Sequence, residues 1–193
     1  MRSSIIVAVA FAGALLAPSA HALDEAANAS TRGPFYVQGD LGSFGFWTEL
    51  PAVGTLGYWH PDIEFGYHFS GRHDGVVLAI RQGFDVGRDH YAFGQTVLRG
   101  GYDLAFPFRN GRFEVTVAPY GILGINYFFE GPQAGVHFGA GLELKLFFFR
   151  GVYLMLRPIE LAAGQFVIPP GNGFNAKNVY FNFNAGLGAG FAF

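Results

Sequence analysis

The feature that most constrains this chain is a strict alternation of apolar and polar residues. In 136–146 every second residue is apolar, and the residues between them are His, Gly, Glu or Lys. The segment 179–193 repeats the pattern, with Val, Phe, Ala and Leu on one face and mainly Asn and Gly on the other. A period of two places successive side chains on opposite faces of a β-strand. The alternation therefore predicts an all-β fold whose sheet has one apolar and one polar face.

Eight alternating segments can be read along the chain, of which those near 75–85 and 151–161 are the weaker. Most are longer than the usual strand of about 5–6 residues, and they reach the roughly 9–11 residues needed to cross a bilayer at a tilt. Short and long connections alternate between them. The short ones are 70–75, 107–111 and 148–151, and the long ones are about 48–61, 86–91, 128–133 and 169–178. This spacing predicts an eight-stranded antiparallel up-and-down β-barrel with both termini at the short-turn end.

The amino terminus has the features of a secretory signal peptide. Arg2 supplies a positive charge, Ile5 to Leu16 are apolar, and Ala20-His21-Ala22 is a cleavage site with small residues. The apolar run is shorter than the roughly 20 residues of a membrane-spanning helix. We expect a signal peptide at 1–22, an unstructured periplasmic lead at 23–33 and the barrel at 34–193.

Composition excludes several classes of function. Charged residues make up 13% of the chain and the formal net charge is -2, which argues against a nucleic-acid partner. No cysteine is present, so disulfides, thiolate metal sites and cysteine nucleophiles are excluded. The histidines have no metal-ligand spacing. We expect no cofactor, no metal and, since nothing indicates an assembly, a monomer.

The distribution of bulk favours a barrel with its apolar face turned to lipid. Eight strands enclose a space just wide enough for side chains, so the bulkier face belongs outside. Phe and Leu dominate the apolar face, whereas the polar face carries glycines such as Gly139 and Gly188. A soluble periplasmic barrel with an apolar ligand is the alternative. Aromatic residues stand where membrane-interface girdles are expected, namely Trp47 and Trp59 at the loop end and Phe147, Phe148 and Phe149 at the turn end.

The alternation also assigns nearly every strand charge to the interior. The predicted inward charges and histidines are Asp40, Asp62, Glu64, His68, Arg81, Asp85, Arg99, Asp103, Arg112, Glu114, His137, Glu143, Lys145 and Arg157. Unpaired charges in a narrow lumen are costly, so we expect salt bridges that plug the barrel. A narrow proton or ion path is the alternative. Glu160 falls on the lipid face of its strand, so that either Pro158 shifts the register or the strand has left the hydrocarbon there.

The last strand, VYFNFNAGLGAGFAF, together with the signal peptide and the eight segments, resembles the small outer-membrane β-barrel proteins of the OmpA membrane-domain and OmpX type. The resemblance is architectural and covers about 34–193. It implies a Gram-negative outer-membrane location, contact with outer-membrane lipid and recognition by the barrel assembly machinery. The residues that match the assembly signal of that family are Leu187, Ala189, Phe191 and Phe193.

These patterns predict a non-enzymatic barrel whose surface loops 48–61 and 169–178 bind a partner. Few residues are candidates for catalysis: Ser43 among the serines, His68 with Glu64, and His137 with Glu143. They form no recognisable catalytic set.

The second hypothesis is a lipid-modifying or lipid-binding barrel. Pro119 and Pro158 interrupt two predicted strands. By resemblance to lipid A palmitoyltransferases, such prolines would provide lateral access for lipid.

Overall fold

The computed structural model is a closed antiparallel β-barrel. It describes residues 32–50, 55–87, 92–108, 113–128, 134–149, 151–167 and 179–193. The strands are β1 (Phe35–Asp40), β2 (Phe44–Leu50), β3 (Thr55–Trp59), β4 (Asp62–His68), β5 (Gly75–Gly87), β6 (Ala92–Pro107), β7 (Glu114–Phe128), β8 (Ala134–Phe149), β9 (Val152–Val167) and β10 (Val179–Ala192). The predicted signal peptide 1–22 and most of the lead 23–33 lie outside the described residues.

These ten segments form eight walls of the barrel. β1 and β2 make the first wall, β3 and β4 make the second, and β5 to β10 make one wall each. Each wall pairs with the next along the chain, and β10 closes the barrel on β1 and β2. The closing pairs include Val37 with Phe191 and Phe46 with Phe183. The predicted eight-stranded up-and-down barrel is therefore confirmed.

The first two walls are interrupted next to each other. Leu41 to Ser43 separate β1 from β2, while His60 and Pro61 separate β3 from β4. The His60 amide donates to the Ser43 carbonyl at 3.0 Å, and the Trp59 indole donates to the Leu41 carbonyl at 2.8 Å. Proline has no N–H to donate to a β-ladder, so the break at Pro61 leaves no ladder hydrogen bond unmade.

The predicted long loop at 48–61 is wrong in its extent. β2 continues to Leu50 and β3 begins at Thr55, and the two pair from Phe44–Trp59 to Thr48–Thr55. Residues 51–54 lie outside the described part of the chain. The proline and glycine residues of this stretch hide the alternation, although the backbone still pairs.

Burial follows the predicted alternation along the strands. On β4, Ile63 and Phe65 are exposed on the outer face, whereas Asp62, Glu64 and His68 are buried inside. On β10, Phe181 and Phe191 are exposed and Asn182 is buried. No helix in the described ranges is long and apolar enough to cross a membrane.

The turns at the end that holds both termini are tight. Between β4 and β5, the backbone amide of Phe69 donates to the Val76 carbonyl at 2.9 Å, and Gly75 has a φ of 91°. This left-handed conformation favours glycine because a side chain would be strained there. Residues 109–111 of the predicted short connection 107–111 lie outside the described residues.

Inward tyrosines face glycines on the neighbouring strand. The pairs, directly opposite in register, are Tyr36–Gly66, Tyr58–Gly45, Tyr120–Gly141, Tyr153–Gly190 and Tyr180–Gly164. A Cβ atom at Gly190 would lie 2.3 Å from the ring of Tyr153. The glycines of the polar face therefore make room for tyrosine rings that lie against the barrel wall. Large and small residues placed opposite each other in this way let the interior pack closely.

Candidate functional site

The barrel interior is the candidate site, and its centre is built around buried arginines. Arg99 projects from β6 and donates to Glu64 Oε1 and to the Tyr36 hydroxyl, both at 2.8 Å. Its second terminal nitrogen lies 3.1 Å from Glu143 Oε2. Arg99 and both carboxylates are fully buried. One guanidinium thus joins β1, β4 and β8, because its fork of donors can reach several acceptors at once.

Arg157 of β9 forms a second centre. Its guanidinium lies 2.7 Å from Asp62, 3.0 Å from Glu143 and 3.4 Å from Asp40. Glu143 therefore accepts from Arg157 while it is also paired with Arg99. These contacts link two arginines and several carboxylates into one network, as buried charges require if they are to remain ionised.

Arg81 of β5 pairs with Glu160 of β9 at 2.7 Å. β5 and β9 are the third and seventh of the eight walls, so they stand on opposite sides of the barrel. Glu160 also accepts from the Tyr120 hydroxyl at 2.7 Å and from the Asn184 amide at 3.0 Å. This pair therefore spans the full width of the lumen.

Glu160 faces inward because of a β-bulge at Pro158. Leu142 pairs with Ile159 and Leu144 pairs with Leu156, so β9 has one extra residue at this point. The register against β10 shifts at the same place. Pro158 and Ile159 both face outward, and the alternation resumes with Glu160 inside. Of the two explanations considered for Glu160, the register shift is the one that holds.

The end of the interior near the termini has its own charged layer. Lys145 Nζ lies 2.7 Å from Asp103 Oδ2, and His68 Nε2 lies 3.1 Å from the same atom. Lys145 also stands 4.7 Å above the ring of Tyr36. At the mouth itself, Arg32 donates to Glu114 at 2.9 Å.

The opposite half of the interior is richer in uncharged polar groups. His60 is bonded to Asp85, which accepts from the Gln95 amide at 2.7 Å. The Tyr180 hydroxyl contacts the Asn126 amide and lies 2.9 Å from His137 Nδ1. The interior thus changes from lysine and arginine ion pairs near the termini to a network at the other end that joins histidines and Asp85 to amide and hydroxyl groups.

The structure places the predicted interior residues on the inner face, with Arg112 outside the described residues. The two catalytic pairings that we considered are not formed. His68 contacts Asp103 and not Glu64, whereas His137 contacts Tyr180 and Asn126 and not Glu143. Sequence analysis missed Glu160 and His60 as interior groups. The proline two residues before Glu160 was the signal for the first of these.

The other candidate catalytic residue is also accounted for. The hydroxyl of Ser43 bonds to Asp40 and is buried. In the Ser-His-Asp arrangement a histidine takes the proton from the serine, whereas the side-chain partner of Ser43 is the carboxylate of Asp40. Among the described residues, no group of three or more His, Cys, Asp or Glu is arranged to hold a metal ion.

The two strand prolines lie at one height on the outer face. Pro119 of β7 pairs opposite Leu142 of β8, and Leu142 pairs opposite Ile159, the neighbour of Pro158. The β7–β8 ladder is continuous from Glu114 to Tyr127. Pairing between β8 and β9 resumes on both sides of the bulge, so the prolines alter the ladders without separating the strands.

The predicted aromatic girdle needs one correction. Trp59 and Phe148 are exposed on the outer face, each at 41%. Phe147 is only 2% exposed and packs inside against Tyr153, because it shares the inward parity of Lys145. The side chains of Trp47 and Phe149 lie outside the described set. The residues matched to the assembly signal, Leu187, Ala189, Phe191 and Phe193, are exposed on the outer face or at its edge.

Comparisons with known proteins support the fold. Models of protein families and curated protein sequences give no match to this chain. The crystal structure of Neisserial surface protein A (NspA) is similar, with 16% identity, a TM-score of 0.55 and coverage of 82% of this chain and 97% of that one. The crystal structure of Ail, the attachment invasion locus protein of Yersinia pestis, has 14% identity, a TM-score of 0.43 and coverage of 84% and 99%. The resemblance to small eight-stranded outer-membrane barrels is confirmed at the level of the fold.

Proposed function

We propose that this chain is a non-enzymatic integral protein of the bacterial outer membrane. The separation of side chains supports this proposal. Leu78, Phe138 and Leu187 represent an outer face of exposed large apolar residues, whereas the strand charges whose side chains the structure describes are buried or nearly buried inside. In water, an apolar surface of this extent would be an aggregation liability, since soluble monomers rarely expose patches above a few hundred Å². In a bilayer the same surface contacts acyl chains.

The proposed interior is closed to solutes. The observation that carries this part is the Arg81–Glu160 pair at 2.7 Å, which joins opposite walls. The Arg99 and Arg157 clusters reinforce it, since their side chains also reach across several strands. Opening a path would require separating buried ion pairs, and removing one partner of such a pair costs about 3–5 kcal/mol.

Heat modifiability tests the membrane assignment. The protein, from membrane and soluble fractions, is run on a detergent gel with and without boiling. We expect recovery in the outer-membrane fraction and faster migration of the unboiled band, because a closed barrel resists the detergent. Recovery in the soluble periplasm with no shift would contradict the proposal and favour a soluble barrel with an apolar ligand.

Conductance across planar lipid bilayers tests the closed interior. We expect no current above the lipid baseline after insertion of the folded protein. Reproducible current steps would contradict a plug and favour the narrow ion path. A known porin inserted under the same conditions serves as the positive control.

We further propose that the end opposite the termini faces the medium and binds a surface partner. The β2–β3 hairpin supports this proposal, because it extends past the end of its pairing with β5. β3 pairs with β5 only at Tyr58 and Trp59, whereas β2 pairs with β10 as far as Val179. The predicted partner loop 169–178 lies outside the described residues. A cysteine introduced at Gly54 should react with an impermeant maleimide on intact cells, and protection of that cysteine in intact cells would contradict this orientation.

A further inference from the structure

The side chain of Arg32 crosses the barrel mouth at the termini. We call this end the terminal mouth, where Phe35 and Phe193 exchange backbone hydrogen bonds of 3.2 and 2.8 Å. Arg32 stands just before β1, in the first wall, and Glu114 begins β7, in the fifth. Their 2.9 Å contact therefore joins opposite sides of the opening.

Other contacts hold Arg32 from the remaining sides. His73, in the turn between β4 and β5, bonds to Glu114 and lies 3.3 Å from the Arg32 guanidinium. The guanidinium carbon also lies 4.3 Å from the centre of the Phe147 ring on β8. A cation above an aromatic face is attracted to it. The side chain of Arg32 is only 14% exposed as a result.

Gly33 allows the chain to enter the mouth at this point. A Cβ atom there would lie 2.4 Å from the Phe193 carbonyl oxygen, which is too close for any other residue without a shift of the backbone. Below Arg32 lies a buried layer that includes Tyr36, Val77 and Met155. The Lys145–Asp103 pair is also buried in this half of the barrel.

We propose that Arg32, held by Glu114, His73 and Phe147, is a lid that closes the terminal mouth to water and small solutes. The lid is separate from the arginine network in the middle of the barrel. The lid rests on the proposed closed interior in one respect only. The central network must keep solutes from reaching the layer below Arg32 from the other end of the barrel. Release of Arg32 opens the buried layer at Val77, while the network beyond it stays closed.

Single cysteines report the two barriers independently, because the natural chain has none. Val77→Cys lies beneath the lid, and Ala118→Cys lies in the middle, opposite Glu143 in register. Both side chains are buried and inward. The measurement is the rate of reaction with a charged methanethiosulfonate reagent on the folded barrel in detergent micelles, with folding verified by the unboiled gel shift.

We expect Arg32→Ala and Glu114→Gln each to raise the reaction rate of Val77→Cys at least tenfold and to leave Ala118→Cys unchanged. Arg72→Ala is the matched control, because Arg72 pairs with Asp74 at 3.3 Å in the exposed turn beside the mouth. Arg32→Lys keeps the charge and should give a smaller rise. Unchanged rates at Val77→Cys, or an equal rise with Arg72→Ala, would overturn the lid. Fast reaction of Ala118→Cys without any lid substitution would instead refute the central plug, and the lid would still be judged at Val77→Cys.

Discussion

At the scale of the residue, the role of a side chain in this barrel depends on which face of the strand it occupies and on the group with which it pairs. Glu160 has a buried carboxylate that accepts from Arg81, Tyr120 and Asn184. Glu160→Gln leaves the Arg81 charge without its partner, so we expect a loss of about 3–5 kcal/mol in unfolding free energy. Urea titration of the protein in lipid vesicles measures it.

The double variant Arg81→Met/Glu160→Leu is the control for this prediction. It removes both charges and should cost less than Glu160→Gln alone, because no buried charge is left unpaired. A double variant as unstable as the sum of its single substitutions would show that the pair acts through packing and not through charge.

The glycines opposite tyrosines make a second prediction at this scale. Gly190→Ala places a methyl group against the Tyr153 ring, which cannot easily move since its hydroxyl donates to Gln38 at 2.9 Å. We expect a loss of about 1–3 kcal/mol from overpacking. Gly100→Ala is the matched control, because a Cβ there meets no atom within 4 Å. Equal effects of the two substitutions in the same urea titration would contradict this explanation.

Sequence alone predicted the inward charges because alternation fixes the face of each residue. It could not predict which charges pair, since alternation does not give the register between strands and therefore not the height of each residue along the barrel axis. The Arg81–Glu160 pair depends on that stagger around the whole barrel. Phe147 was misassigned because the alternation was followed only to Leu146, although one further step places Phe147 on the inward face with Lys145.

At the scale of the element, the bulge in β9 decides which residues face outward. Deleting Pro158 would remove the extra residue and keep both Arg157 and Glu160 inside, with a regular register against β8 and β10. We therefore expect the deletion to preserve the heat-modifiable barrel. Deleting Leu156 instead forces Arg157 toward lipid or breaks the pairing, and a charge there costs about 2–4 kcal/mol at mid-bilayer.

The comparison of the two deletions on unboiled gels checks this account. Loss of the fast band in both would contradict it. The bulge was only partly predictable, because proline in a strand signals an irregularity without giving its form. The breaks between β1 and β2 and between β3 and β4 were missed for a related reason, since glycine and proline interrupt the period of two there.

At the scale of the whole molecule, the outer face would set the position of the barrel in the proposed membrane. Leu98 lies near the middle of β6 and is 55% exposed, whereas Phe106, 54% exposed, lies near the end of the same strand at the terminal mouth. Leu98→Arg should lower the unfolding free energy in vesicles by about 2–4 kcal/mol, and Phe106→Arg by about 0–1 kcal/mol. Equal costs at both positions would contradict a membrane centred on the barrel wall.

The seam between β1 and β10 joins residues from the two ends of the described chain, such as Tyr36 and Ala192. These contacts have the largest sequence separation in the fold, so the entropy of loop closure makes them slow to form. Until they form, the sheet has two free edges whose backbone groups would be unsatisfied in hydrocarbon. The first strand made must therefore wait for β10, and the barrel can be sealed only after β10 has been synthesised.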